Sequence, residues 1–210
     1  MQITNARNAE LWSKRHQLPH LSDVHPAQCT SGPNYEYANQ SSLRISMRKY
    51  TTEFESINNT ISQFNKYLSP SNQIRLFDVV TDIENKNIIE VVHGDWNAFP
   101  WPNNATRGVY FVLGYERNHF EKNGMYIGKA SFGSSTSARL YSHLHPTRSS
   151  DKFTMNGFNN EEYIVEYIAS IDLEKQDIAF LSPALEEYLI MNLSNKLNLI
   201  NRIGGSRGHS

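Results

Sequence analysis

The chain of 210 residues carries one cysteine, Cys29, so it can form no internal disulfide and has no second thiol to share a metal. A Cys-based zinc site is thereby excluded. Long hydrophobic runs are missing too. No stretch of about 18 apolar residues could span a bilayer as a helix, and the N-terminus lacks the basic, apolar, small-residue order of a secretory signal. The expectation is a soluble, cytoplasmic protein without a membrane partner, in which the glycosylation-like tripeptides at Asn58, Asn104 and Asn192 are chance matches. An excess of one charge is also absent: 20 basic residues face 21 acidic ones, a formal net charge of -1. That balance argues against a strongly non-specific nucleic-acid binder. It does not differ between the halves, with ten basic and ten acidic residues through Arg107 and ten and eleven beyond it. Any basic surface must come from folding, with Lys129, Arg139, Arg148 and Lys152 on one side and Glu161, Glu162, Asp172 and Glu174 elsewhere.

This length suits one core, or one compact domain with an extension. Residues 1 to about 50 are rich in Asn, Ser, Gln, His and Pro and show no sustained apolar period beyond a short helical stretch around Ala9–Arg15. From Glu53 to Leu68 the texture changes. Phe54, Ile57, Ile61, Phe64 and Leu68 recur at steps of three and four, which predicts one apolar helix face; it is too short for a stable isolated coiled coil and reads as a core helix. Ser69-Pro70-Ser71-Asn72 ends it. Two strand-like runs follow, Ile74–Val80 and Ile88–His93. Trp96, Phe99 and Trp101 then interleave with prolines and are expected to pack a linker against the core rather than stack on bases.

Beyond this point the spacing predicts a strand at Gly108–Leu113, a polar connection at Gly114–Asn123, and a second strand at Gly124–Lys129 pairing antiparallel with the first. A helix is expected over Ser134–Leu144, closed by Pro146, and a strand over Glu162–Ile171. Ser182 as N-cap and Pro183 at the first helical position open a last helix reaching about Leu197. Arg139 and His143, four apart on the first of these helices, share a face. Arginine offers a planar fork of donors suited to phosphate oxygens, and histidine can accept or relay a proton near neutrality. Tyr110 and Tyr126 close the two paired strands, where their hydroxyls would emerge at a sheet edge. A phenol with an ordinary pKa near 10 needs a nearby cation to act as a base, and Lys129 is placed to supply it. Of the adjacent carboxylates Glu186 and Glu187, a helix turns only one toward any given site.

Gly108-Val109-Tyr110, Tyr126-Ile127-Gly128, Lys129, Arg139, His143, Glu186 and Asn198 together resemble the signature of the GIY-YIG nucleases. The resemblance covers residues 105–201 and implies an α+β fold: a β-β-α-β-α module with a central antiparallel or mixed sheet flanked by helices. Residues 1–104 would be an N-terminal helical and β extension for positioning or dimerisation, and 202–210 a flexible tail. The resemblance also implies catalytic roles for Tyr110, Tyr126, Lys129, Arg139, His143, Glu186 and Asn198, with Asn201 as the alternative asparagine. It makes Glu186 the ligand of Mg2+ or Mn2+, DNA the partner and a homodimer the assembly. The lengthened link to Arg139 and the Gly-Lys-Ala sequence are closest to restriction endonucleases of this type. Pro146–Asn160 would then be either a DNA-reading loop or a plain exposed loop. The function so implied is metal-dependent DNA cleavage in restriction or phage defence. The alternatives are a structure-specific repair nuclease and a binding module that does not cut.

Overall fold

The structure, a computed structural model, describes residues 48–91, 106–146, 153–156 and 162–201. The helix expected at Ala9–Arg15, Cys29, the aromatics Trp96, Phe99 and Trp101, the basic residues Arg148 and Lys152, Glu161 and the tail 202–210 all lie outside the described residues.

The apolar stripe forms helix α1, Thr51–Phe64, with Phe54, Ile57, Ile61 and Phe64 buried. It ends short of the expected Leu68 because the chain tightens into a 3-10 turn at Asn65–Tyr67. The strand expected at Ile74–Val80 does not form. Instead, the backbone there is paired by two asparagine side chains, Asn58 on α1 and Asn65 just after it. Asn65 accepts from the Ile74 N–H at 2.8 Å and donates to the Ile74 carbonyl at 2.7 Å. Asn58 treats Phe77 the same way, at 2.7 and 2.8 Å. Seven helical residues rise about 10.5 Å and three extended residues span about 10 Å. The two amides therefore fall opposite the two backbone sites. Asp78 then caps helix α2, Val79–Glu84, by accepting from Thr81 N.

Strand β1 is Ile88–Glu90. Strands β2, Gly108–Glu116, and β3, His119–Ala130, form a hairpin longer than expected. The supposed polar connection is largely strand, and only Arg117 and Asn118 make the turn. Helix α3, Thr136–His143, is capped by Ser135, whose side chain accepts from Ala138 N. The segment read as a loop after Pro146 contains structure: β4 is His145–Pro146, so Pro146 lies in a strand, and β5 is Phe153–Asn156. β6, Glu162–Asp172, agrees with its prediction. Helix α4, Ser182–Leu193, follows a 3-10 turn, so Ser182 is its first residue rather than its N-cap and donates to the Ala179 carbonyl. It ends before Leu197.

The fold is mixed α+β. Its sheet runs β3-β2-β6-β5-β4, with β1 also pairing β6, and all these pairings are antiparallel. Side-chain alternation splits the sheet into two faces. On one, Val109, Phe111, Leu113, Met125 and Ile127 pack under α1 and α4; on the other, Tyr110, Val112 and Ile168 pack with Leu140 and Leu144 around α3. The expected boundary at residue 104 therefore does not divide the core. α1 and Ile74, Phe77, Ile83 and Ile88 share one apolar cluster with β2, β3 and α4.

The outer edge of β3 is covered by the chain after α4. Met125 N donates to the Asn198 carbonyl at 3.0 Å and Ile200 N donates back to Met125 at 2.8 Å. Asn201 continues the pairing with its amide, accepting from Ile127 N at 3.0 Å and donating to the Ile127 carbonyl at 2.6 Å. Gly108 begins β2 where a Cβ would stand 2.0 Å from the Ile171 carbonyl oxygen, so the close approach of β6 requires glycine there.

Candidate active site

Tyr110 and Gly128 are partners in the β2–β3 register, as are Val112 and Tyr126. The two tyrosines thus lie diagonally on the α3 face. Their rings stack at 6.2 Å with 25° between planes. The Tyr126 ring also meets His143 at 5.2 Å, and its hydroxyl lies 3.5 Å from His143 Nε2. The spacing of α3 explains this: Leu140 and Leu144 anchor the helix to the sheet and leave Arg139 and His143 at its margin.

The tyrosines do not emerge at an open edge, as expected, because α3 covers their face. Tyr110 is 0% exposed, and its hydroxyl is buried with no hydrogen-bond partner. Burial pushes its pKa far above the ordinary phenol range; Tyr126 adds to the rise, Arg139 opposes it and Glu186 reinforces it. Tyr126 is raised by burial and then by Glu186, with Arg139 and its interaction with Tyr110 opposing. Both are therefore phenols at neutral pH, able to donate a hydrogen bond but not to act as bases.

Lys129 was expected to favour a phenolate. It projects from the other side of β3, opposite Val109, and its Nζ lies 2.5 Å from Glu186 Oε2 instead. Glu186 is not in the first turn of α4; it stands one turn in. From there its charge reaches both tyrosines, whose pKa values it raises. β3 is the edge strand, and the space over its Gly128 is taken by the Tyr110 ring. Arg139 is exposed and takes part in none of the ion pairs among the described residues.

Asn198 does not join this group. Its amide donates to the Asn123 carbonyl at 2.9 Å and reaches the Tyr163 hydroxyl at 3.4 Å, which holds the far part of the β3 edge. Asn201, the alternative, grips the backbone of Ile127 between Tyr126 and Gly128. Spacing from Glu186 could not separate the two, because the choice depends on where the chain turns after α4. No local pattern marks the anchor of α3: Thr136 N donates to the Thr106 carbonyl at 2.9 Å and ties the helix start to the chain just before β2.

No family model, curated protein or solved structure matches the chain. The chemistry rests on the residues themselves. Among the described residues no three His, Cys, Asp or Glu side chains gather as a ready metal cage. A single carboxylate does fit magnesium, which keeps several waters and takes the remainder of its shell from substrate phosphate oxygens. Glu186 is the carboxylate with the chemistry to serve in that way, and it is held by Lys129 at 2.5 Å; separately, the Tyr110 hydroxyl is a buried donor that nothing in the described fold satisfies.

Proposed function

We propose that the chain is a metal-dependent endonuclease of the GIY-YIG type that hydrolyses DNA phosphodiester bonds, in a restriction or phage-defence role. The observation that carries this reading is geometric: the stacked Tyr110 and Tyr126 rings lie against His143 on one face of the β2–β3 hairpin, and Lys129, three residues after Tyr126, holds Glu186 on the other. The charges of Arg139 and Glu186 both bear on the two tyrosines. Lys129 and His143 are each in contact with a member of that group. Among the described residues, a purely structural fold has no use for a buried hydroxyl without a partner on the α3 face and an arginine on α3 that joins no ion pair.

The phosphodiester would lie at the sheet edge, with the guanidinium of Arg139 on its non-bridging oxygens, where charge builds up in the transition state. Tyr126, only part-buried, would donate to the same oxygens, the buried Tyr110 hydroxyl behind it would donate to Tyr126 in turn, and His143 would take the proton of the attacking water. Mg2+ held by Glu186 would supply charge neutralisation at the phosphate. Lys129, freed from Glu186, would stay close as a second cation. Cutting both strands of a symmetric site is simplest for a two-fold pair of chains.

A binding module that does not cut is the second reading, and the Lys129–Glu186 ion pair favours it, because it already neutralises the carboxylate. One digest decides between them. Supercoiled plasmid and a branched duplex are incubated with the full chain in Mg2+, alongside Glu186→Gln. Discrete fragments from plasmid support sequence-directed cutting, cleavage of the branched substrate alone supports a repair nuclease, and binding without cleavage supports the module. Equal cleavage by Glu186→Gln or in excess chelator sinks the site assignment.

A further inference from the structure

Between β3 and α3 the chain turns through Ser131-Phe132-Gly133-Ser134, closed by Ser134 N donating to the Ser131 carbonyl at 3.3 Å. Phe132, the first central residue, has φ of 44°, whereas Gly133 does not take a left-handed φ. A turn with positive φ at its first central residue strongly favours glycine there. This chain has the order reversed, with the strained position given to phenylalanine and the permissive residue placed next to it in open space. The phenylalanine gains no burial in exchange, being 74% exposed. Strain at a largely exposed aromatic points to a use outside the fold.

Its position says which use. Phe132 stands three residues after Lys129, at most about 10 Å along an extended chain, and the same loop leads into the helix that carries the unpaired Arg139. It stands on the loop that joins the strand of Tyr126 and Lys129 to the helix of Arg139 and His143. A flat apolar ring on such a loop is suited to stacking on a nucleobase, and the serine hydroxyls around it suit the flanking backbone. We infer that Phe132 is a base-stacking residue that holds an unstacked nucleobase beside the phosphate in the Tyr110–Arg139–Glu186 site; this rests on the nucleic-acid reading of that site.

Phe120 provides an internal control, since it is equally exposed at 74% but sits at the opposite end of β3. The full chain is titrated in EDTA with single-stranded and duplex DNA carrying 2-aminopurine, reading anisotropy and 2-aminopurine fluorescence. Wild type, Phe120→Leu and Phe132→Trp should bind with a fluorescence change. Phe132→Gly and Phe132→Leu should lose that change and bind about 10-fold more weakly or worse. Phe132→Gly should also melt no lower than wild type, because it relieves the turn; a purely structural Phe132 predicts a lower melting temperature. Wild-type affinity and signal in Phe132→Gly and Phe132→Leu, or a lower melting temperature in Phe132→Gly, overturn the inference while leaving the nuclease reading intact. Binding with the stacking signal but no cleavage in Mg2+ overturns the nuclease reading and supports the stacking role. A wild-type protein that neither binds nor cuts overturns both.

Discussion

The ring of Tyr110 lies across Gly128 of the neighbouring strand, so closely that a Cβ on Gly128 would stand 2.3 Å from the ring Cζ and 2.4 Å from the hydroxyl oxygen. The first triplet's tyrosine and the second triplet's glycine are therefore one feature. Gly128→Ala must push the ring away, with an expected loss of about 1–3 kcal/mol in stability and displacement of the hydroxyl from the site. Gly133→Ala, where a Cβ meets nothing within 4 Å, is the neutral comparison. Thermal melts of the two variants check this, and equal melting temperatures would show that Tyr110 does not need the gap.

Tyr110→Phe separates stability from chemistry. A buried hydroxyl without a partner costs about 1–3 kcal/mol, so its removal should leave the melting temperature unchanged or raised while cleavage falls sharply. Arg139→Lys should keep DNA affinity nearly unchanged and lower the single-turnover rate, because the charge remains and the fork is lost. If Tyr110→Phe melts lower at full activity, the hydroxyl belongs to the fold and not to the site.

Replacing Glu186 tests the ion pair together with the metal role. In that pair the Lys129 side chain is 35% exposed and the Glu186 side chain 15%, so Glu186→Gln, which keeps the shape and loses the charge, should cost about 1–3 kcal/mol. Cleavage should vanish in Mg2+ and in Mn2+ alike. An unfolded or strongly destabilised Glu186→Gln would instead make the carboxylate a structural partner of Lys129.

How legible these features were depended on where each partner came from. β2, β3 and β6 could be read because their own residues alternate between two faces. Ile74–Val80 has the apolar spacing of a strand, while the partners that hold it are the amides of Asn58 on α1 and Asn65 just after it, which no local pattern reveals. β5 is four residues long and was lost in a polar stretch. The site residues were legible as types in order; their states were not. Burial of Tyr110 depends on α3 folding over the same face, and capture of Lys129 by Glu186 depends on two elements 57 residues apart.

Alkali should unfold the protein earlier than its charge balance suggests. Tyr50, whose hydroxyl donates to Glu166, is raised far above the usual phenol range, first by burial and then by that carboxylate, and Tyr110 is raised by burial. Below about pH 10 these phenols are protonated in both folded and unfolded chains, so their contribution is fully present. Above it the unfolded chain releases protons that the folded chain keeps, and stability falls as pH rises. Denaturant melts between pH 8 and about pH 11.5 should show this decline, with a shallower slope in Tyr50→Phe. An identical slope in that variant would remove Tyr50 from the titration.

Residues 48–91 should prove inseparable from the rest of the fold. Phe54 meets Phe77 edge-on at 5.2 Å, and Phe77 meets Phe111 of β2 at 5.5 Å, so aromatic contacts run from α1 into the centre of the sheet. A chain cut at Trp96 would leave Phe111, Leu113 and Leu189 without their cover and β6 without β1. Such a fragment should lack a cooperative melt and should not cut or bind. Ile57→Ala in the full chain gives the graded version: Ile57 is 0% exposed, and its truncation should cost about 2–5 kcal/mol while leaving the cleavage rate of the folded fraction intact. If the fragment melts cooperatively and cuts the full chain's substrate at the same rate, α1 is an appendage and the core closes without it. If Ile57→Ala instead lowers the rate without lowering the melting temperature, α1 acts on the site rather than on the fold.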